Sequence, residues 1–171
     1  MNIPTGETAI DPAAKLRKLV ILPDLLKRGF WLYVWIISLR TGPNVYYVGR
    51  TGDSSSLKAQ SPFSRIGGHL GPNKNANALR RHLAKHNIDL DACDQLELVA
   101  FGPLFPEADN ETEHRVRRDK TAALERDLCD AMRAARYRVL NEVVCRIAHD
   151  EAKWAAVRDA FADRFPNLQP E

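Results

Sequence analysis

The chain has 171 residues, of which 44% are hydrophobic and 27% charged, a balance that predicts a folded domain with a packed core and excludes wholesale disorder. The 25 basic and 22 acidic residues leave a formal net charge of +3, which is too small to demonstrate a nucleic-acid partner by itself. The longest mainly apolar run, residues 30–39, is far shorter than the roughly 20 residues of a membrane-spanning helix, so we expect no membrane partner.

The cysteine content indicates the compartment. Cys93, Cys129 and Cys145 are odd in number and include no CxxC pair, whereas disulfide frameworks and zinc sites normally show paired spacing. The first residues are polar, and no basic-then-apolar leader precedes a small-residue cleavage site. We therefore predict three reduced, mostly buried thiols in a cytoplasmic protein.

Apolar residues recur at helical spacing near the amino terminus, at Leu16, Leu19, Val20 and Leu22. This spacing predicts an amphipathic helix that begins at Asp11 or Pro12 and is interrupted at Pro23. We interpret residues 1–28 as a helical extension that precedes the main domain.

Three later segments have the composition of β-strands. Residues 30–39 are rich in β-branched and aromatic side chains, and residues 45–49 form a second, shorter apolar run. Thr41-Gly42-Pro43-Asn44 between them supplies turn residues, so these two strands are predicted to form a hairpin. Residues 95–101 are predicted to form the third strand.

Helices are predicted at residues 63–70, at residues 75–86, from Asn110 or Thr112 to about Arg136, and at about residues 150–165. The predicted fold class is α/β in the α+β sense: a small antiparallel three-stranded sheet flanked by helices. Residues 29–145 would form the core, and the helix within residues 146–171 would pack on it.

Several familiar catalytic signatures are missing, including a glycine-rich phosphate loop, a GxSxG elbow, an HExxH pair and a cysteine–histidine zinc spacing. What remains is an ordered series of polar residues across several predicted elements: Tyr33, Tyr47, Arg65, His69, Glu125 and Asn141. The two tyrosines lie in the hairpin strands. Arg65 and His69 are four residues apart, which places them on one face of a short helix. Glu125 lies beside the apolar stripe of the long helix.

Each of these residues also has an ordinary structural explanation. A tyrosine in an aromatic-rich strand usually packs in the core, and arginines and glutamates on helices are usually solvated. A histidine can cap or pack, and an asparagine can satisfy a turn. Residue types alone leave these alternatives open, and the order of the whole series is the stronger signal.

The sequence resembles the GIY-YIG nuclease family from about Trp31 to Asn141. The segments that carry the resemblance are Trp31-Leu32-Tyr33, Tyr47-Val48-Gly49-Arg50-Thr51-Gly52, Arg65-Ile66-Gly67-Gly68-His69, Ala123-Leu124-Glu125 and Leu140-Asn141. One departure is visible, because Trp31 stands where the family's first signature usually opens with glycine. The resemblance implies a GIY-YIG-like fold and a metal-dependent endonuclease that hydrolyses DNA phosphodiester bonds.

The resemblance also implies roles for the residues. Glu125 would hold one Mg²⁺ or Mn²⁺ ion, and one carboxylate can suffice because magnesium keeps several of its waters. The hydroxyls of Tyr33 and Tyr47 would converge on the scissile phosphate and the attacking water, and either could act as the base. Arg65 would neutralise the phosphate and His69 would carry a proton. Asn141 would be an orienting hydrogen-bond residue.

Basic residues suggest how DNA would be held. We predict phosphate contacts from the residues Arg50, Lys74, Arg80, Arg81 and Lys85, although a charged helix face is more commonly only solvated. Recognition would come from loops, from a homodimer or from a separate partner. The alternative is a catalytically inactive DNA-binding or protein-interaction module on the same scaffold, and a further one is a structural protein whose matches are chance.

Overall fold

The computed structural model describes residues 14–54, 56–71 and 77–169. Within these ranges the chain forms one sheet with three strands in the order β2-β1-β3, where β1 is Phe30–Leu39, β2 is Val45–Arg50 and β3 is Cys93–Phe105. Both strand pairs are antiparallel. The predicted sheet and hairpin are confirmed, and β3 extends beyond both predicted ends.

Four helices are present in the described ranges: α1 (Pro62–Leu70), α2 (Ala78–Lys85), α3 (Glu111–Ala134) and α4 (Glu151–Ala162). Each begins after a side chain that accepts a hydrogen bond from the backbone N–H three residues later, and these capping residues are Ser61, Asn77, Asn110 and Asp150. Such caps satisfy N–H groups that the helix itself leaves unpaired. Together with the sheet they give an α+β fold.

The central strand β1 is buried on both faces, and its alternating side chains enter two separate cores. Leu32, Val34 and Ile36 pack against α3 and α4, where Phe161 belongs to the same buried cluster. On the opposite face, residues 33, 35 and 37 pack with apolar residues of α1 and α2. The sheet is therefore covered on both sides, and the face towards α1 and α2 carries both tyrosines of the signature.

The predicted amino-terminal helix is wrong in the part that is described. Residues 14–22 contain no helix, and the first helical turn is the 3₁₀ helix Pro23–Leu26. Leu16 is 98% exposed and Leu19 77% exposed, so the apolar stripe has no surface to cover. A short amphipathic helix without such packing is marginal in water. Residues 1–13 of the predicted extension lie outside the described residues.

Two further predictions concern the burial of the thiols and the membrane. Cys93, Cys129 and Cys145 are all free, but only Cys129 is fully buried, so the prediction of mostly buried thiols is wrong for the other two. Cys93 lies at the start of β3, where it packs at the margin of a core and stays partly exposed, and Cys145 lies in a connecting segment. No helix in the described ranges is long and apolar enough to cross a membrane.

Trp31 is accommodated by a glycine on the neighbouring strand. Gly102 has a φ of +149°, and a Cβ built there would lie 2.9 Å from the Trp31 ring. The Trp31 backbone N–H donates to Thr51 Oγ1 at 2.8 Å, and its indole Nε1 donates to the Lys27 carbonyl at 3.1 Å. The register between β1 and β3 shifts at this point, whereas the pairing of Tyr33 with Gly49 of β2 stays regular. The bulky residue therefore leaves the tyrosine in place.

Gly49→Ala should destabilise the fold at the point where the Tyr33 ring crosses β2. A Cβ at Gly49 would lie 2.5 Å from Tyr33 Cε2 and 2.6 Å from its hydroxyl oxygen. We expect a loss of about 1–3 kcal/mol in the free energy of unfolding, as is typical of overpacking. Gly67→Ala is the matched control, because Gly67 lies exposed in α1 with no atom within 4 Å of a new Cβ. That control should gain about 0.5–1 kcal/mol. Equal urea midpoints for Gly49→Ala and wild type would contradict this packing.

Candidate active site

Two strands place the tyrosines on one face of the sheet. Tyr33 of β1 lies opposite Gly49, and Trp35 lies opposite Tyr47 of β2. Because residues two apart on a strand point to the same side, the Tyr33 and Tyr47 rings are neighbours on the face towards α1 and α2. The missing side chain at Gly49 makes room for the Tyr33 ring.

His69 joins the two tyrosines from α1. Its Nε2 lies 2.9 Å from the Tyr33 hydroxyl, and its ring centroid is 5.5 Å from those of both Tyr33 and Tyr47. Burial, together with the nearby charge of Arg65, lowers the pKa of His69 to about 4. The imidazole is therefore neutral at neutral pH, and its Nε2 can accept the Tyr33 proton when the ring proton is on Nδ1.

Arg65 projects from the same helix, one turn before His69. Its Nη2 donates to Asp53 Oδ2 at 2.6 Å, while its buried Nε has no acceptor among the described residues. Burial raises the pKa of Tyr33 above its usual range, and the Arg65 charge partly offsets this effect. The guanidinium therefore lies close enough to the phenol to stabilise negative charge on its oxygen.

Glu125 approaches the site from α3, on the other face of the sheet. Its Oε2 accepts a hydrogen bond from Arg50 Nε at 2.8 Å, and only 14% of the side chain is exposed. Burial raises the pKa of Glu125 to about 7, although the Arg50 charge acts in the opposite direction. Burial and then the Glu125 charge raise the pKa of Tyr47 to about 12. Glu125 therefore lies close enough to Tyr33 and Tyr47 for its charge to raise their pKa values, although α3 packs on the other face of the sheet.

Asn141 connects the outer edge of β2 to α3. Its Oδ1 accepts from the Val48 N–H at 3.0 Å, and its Nδ2 donates to the Val48 carbonyl at 2.8 Å. Leu140 N–H donates to the Tyr46 carbonyl alongside, so this segment continues the sheet. The Asn141 carbonyl accepts from Arg133 of α3 at 2.8 Å. Asn141 therefore orients the site through the backbone of β2.

The structure describes four of the five predicted DNA-contacting residues. Arg50 is paired with Glu125, and Arg80 donates to the Gly71 carbonyl at the end of α1 at 2.9 Å, so both are held by protein contacts. Arg81 and Lys85 are exposed residues one turn apart on α2. Lys74 lies outside the described residues.

The residues fit a single hard cation of the kind that the family resemblance implies. Glu125 Oε1 accepts no hydrogen bond from the described residues, so one carboxylate oxygen is available, and magnesium commonly uses one or two carboxylates with several waters. In the described ranges no group of three or more His, Cys, Asp or Glu side chains could hold a metal, so the residues there provide no all-protein cage. A cation at Glu125 would have to displace Arg50 or bind next to its positive charge.

Asp53 is the site residue that sequence reasoning missed. Besides its bond to Arg65, its charge adds to the rise in the pKa values of Tyr47 and Glu125 and partly offsets the fall in the pKa of His69. Its residue type and its position in a Ser-rich loop resemble any solvated turn residue. The one available signal was its place immediately after the second signature, where the chain leaves β2.

Asn141→Ala should lower stability because it leaves the Val48 N–H and carbonyl buried without partners. We expect a cost of about 1–3 kcal/mol for each unsatisfied group. Glu142→Ala is the control, since the neighbouring Glu142 side chain is 77% exposed and its loss should change stability by less than about 0.5 kcal/mol. Chemical unfolding of both variants measures the difference. Wild-type stability in Asn141→Ala would mean that these hydrogen bonds do not hold β2.

Comparison with known proteins gave no match: no family model fits the chain, and neither a curated protein nor a solved structure shows significant similarity to it. The resemblance to GIY-YIG nucleases therefore stays a prediction. The function has to be inferred from the residues and from the geometry that brings them together.

Proposed function

We propose that the protein is a metal-dependent endonuclease of the GIY-YIG type that hydrolyses DNA phosphodiester bonds. The observation that carries the proposal is the 2.9 Å contact between the Tyr33 hydroxyl and the buried Nε2 of His69, with Arg65 beside it. His69 would be the proton acceptor and Arg65 the cation that binds the phosphate. The Arg65 charge lowers the pKa values of both His69 and Glu125, so the three side chains lie near one another. This combination suits in-line attack of water on phosphorus.

On the basis of this contact we assign different roles to the two tyrosines. Tyr33 would accept a proton from the attacking water while its own phenol proton passes to His69 Nε2. This relay needs no free phenolate, which matters because burial raises the pKa of Tyr33 above its usual range. As the bond from the water oxygen to phosphorus forms, the bond to the 3′ oxygen breaks, and the water proton ends as the Tyr33 hydroxyl.

Tyr47 would act as a hydrogen-bond donor. Its pKa of about 12 keeps the phenol protonated, and its hydroxyl has no hydrogen-bond partner among the described residues. The hydroxyl can therefore donate to a phosphate oxygen or to the attacking water. The adjacent His82 ring, 5.6 Å away between centroids, helps to fix the Tyr47 ring.

Charge on the phosphate would be stabilised from two sides. The planar guanidinium of Arg65 can donate two N–H groups to phosphate oxygens. A magnesium or manganese ion held by Glu125 would supply a Lewis acid for the departing 3′ oxygen. Arg81 and Lys85 would follow the DNA backbone from α2. We place this activity in the cytoplasm, with sequence recognition from loops, a homodimer or a separate partner.

Glu125→Gln should abolish cleavage and remove the response to metal. Wild type should cut supercoiled plasmid in magnesium and lose this activity in a chelator, whereas Glu125→Gln should be inactive in both, because the amide lacks the charge that holds a hard cation. Magnesium should also raise the Tm of wild type, and more at pH 8 than at pH 6, since the Glu125 pKa of about 7 lets protons compete below that pH.

The control for this experiment is Glu97→Gln. Glu97 is likewise a carboxylate paired with an arginine, Arg164, at 2.8 Å, but the pair lies on the surface. The control should keep both the cleavage rate and the magnesium-dependent rise in Tm. If Glu125→Gln cleaves DNA at the wild-type rate, Glu125 is not the metal ligand and the proposed mechanism fails.

A further inference from the structure

Arg65, the residue assigned to the DNA phosphate, already holds a carboxylate. Its Nη2 lies 2.6 Å from Asp53 Oδ2. The Asp53 side chain is 42% exposed, whereas that of Arg65 is 24% exposed. The anion is therefore the more exposed partner of the pair, and an incoming anion can reach the guanidinium as Asp53 leaves.

The bond between the two residues uses only part of the guanidinium. Arg65 Nε is buried and has no acceptor among the described residues, although buried N–H groups are normally paired. The Nε and Nη2 groups of an arginine form a fork that matches two oxygens of one phosphate. A phosphodiester could thus satisfy both donors, whereas Asp53 satisfies one.

The backbone around Asp53 is held in place on both sides. Thr51 Oγ1 accepts from the Trp31 N–H at 2.8 Å and donates to the Gly29 carbonyl, and His114 Nε2 contacts the Ser54 carbonyl at 2.9 Å. Gly52, with a φ of +72°, turns the chain between these anchors. Because the flanking residues are tied down, exchange of the anion requires only rotation of the Asp53 side chain into solvent.

We propose that Asp53 is an internal substitute for the substrate phosphate, which occupies Arg65 until a DNA phosphodiester displaces it. This inference rests on the proposed function and adds a regulating residue to the same site. Asp53 keeps Arg65 oriented and charge-compensated in the free protein, and it lowers the affinity for any anion that binds Arg65 alone. A duplex that also contacts Arg81 and Lys85 overcomes this competition.

The proposal predicts that removing the Asp53 charge tightens DNA binding. In a chelator, which prevents cleavage, Asp53→Asn should bind a labelled duplex roughly five- to tenfold more tightly than wild type, the effect expected when one unit charge no longer competes with the phosphate for the Arg65 guanidinium. Asp53→Ser should show the same gain and guards against a folding defect in one variant. Asp53→Glu, which keeps the charge, should bind like wild type.

Two controls separate this effect from a change in overall charge. Asp94→Asn removes the same charge from an exposed pair with Arg40 and should alter affinity less than about twofold, because screening weakens distant charges. In an Arg65→Ala background, Asp53→Asn should give no further gain in DNA affinity, since Asp53 would have no guanidinium to release to the phosphate. A residue that only supported the fold would instead lose affinity when changed.

Several outcomes would overturn the inference. If wild type cleaves DNA but Asp53→Asn binds no more tightly, Asp53 is not a phosphate substitute and the proposed function stands. If Asp53→Asn loses the rise in Tm on adding magnesium, Asp53 is a second metal ligand instead. An equal gain in DNA affinity in Asp94→Asn would mean that the effect comes from net charge alone. If wild type neither binds nor cleaves DNA, both the inference and the proposed function fail.

Discussion

Val48, on the outer edge of β2, has a backbone N–H and a carbonyl that would both be buried without hydrogen bonds if the Asn141 side chain did not pair with them. One asparagine satisfies both groups at 3.0 and 2.8 Å, and through its own carbonyl it is bonded to α3. The pairing therefore fixes α3 against the edge strand. Since Glu125 lies on α3 and Tyr47 on β2, the relation between the carboxylate and the tyrosines depends on this contact.

Charge in the site is balanced before any substrate arrives. Arg50 is paired with Glu125, and Arg65 is paired with Asp53. Burial favours the neutral forms of the remaining groups, because it lowers the pKa of His69 and raises those of Tyr33 and Tyr47. A phosphate brings negative charge and a metal ion brings positive charge, so each would displace one partner of an existing pair. The proposed site is thus arranged to exchange internal ion pairs for external ones.

Local patterns predicted most of the elements, because strand alternation, turn residues and helix caps act over a few residues. The bounds of β1 and the cap at Asn110, one of two candidate residues, follow from such signals. The prediction of an amino-terminal helix was wrong because the spacing of apolar residues carries no information about whether a surface exists for them to pack on. The pairing of Arg50 with Glu125, 75 positions away, and the position of Asp53 against Arg65 depend on tertiary structure. The polar series in the signatures could be read from the sequence, whereas the partners of its arginines could not.

The most direct test of the account is single-turnover cleavage of a short duplex in magnesium and ¹⁸O-labelled water, followed by mass spectrometry of the product ends. Attack by a water that Tyr33 deprotonates predicts 5′-phosphate ends that carry one ¹⁸O atom and 3′-hydroxyl ends, with no DNA joined to the protein. Intact duplex after prolonged incubation would contradict the nuclease proposal. Unlabelled phosphate ends, or a covalent adduct on a tyrosine, would contradict the role assigned to Tyr33.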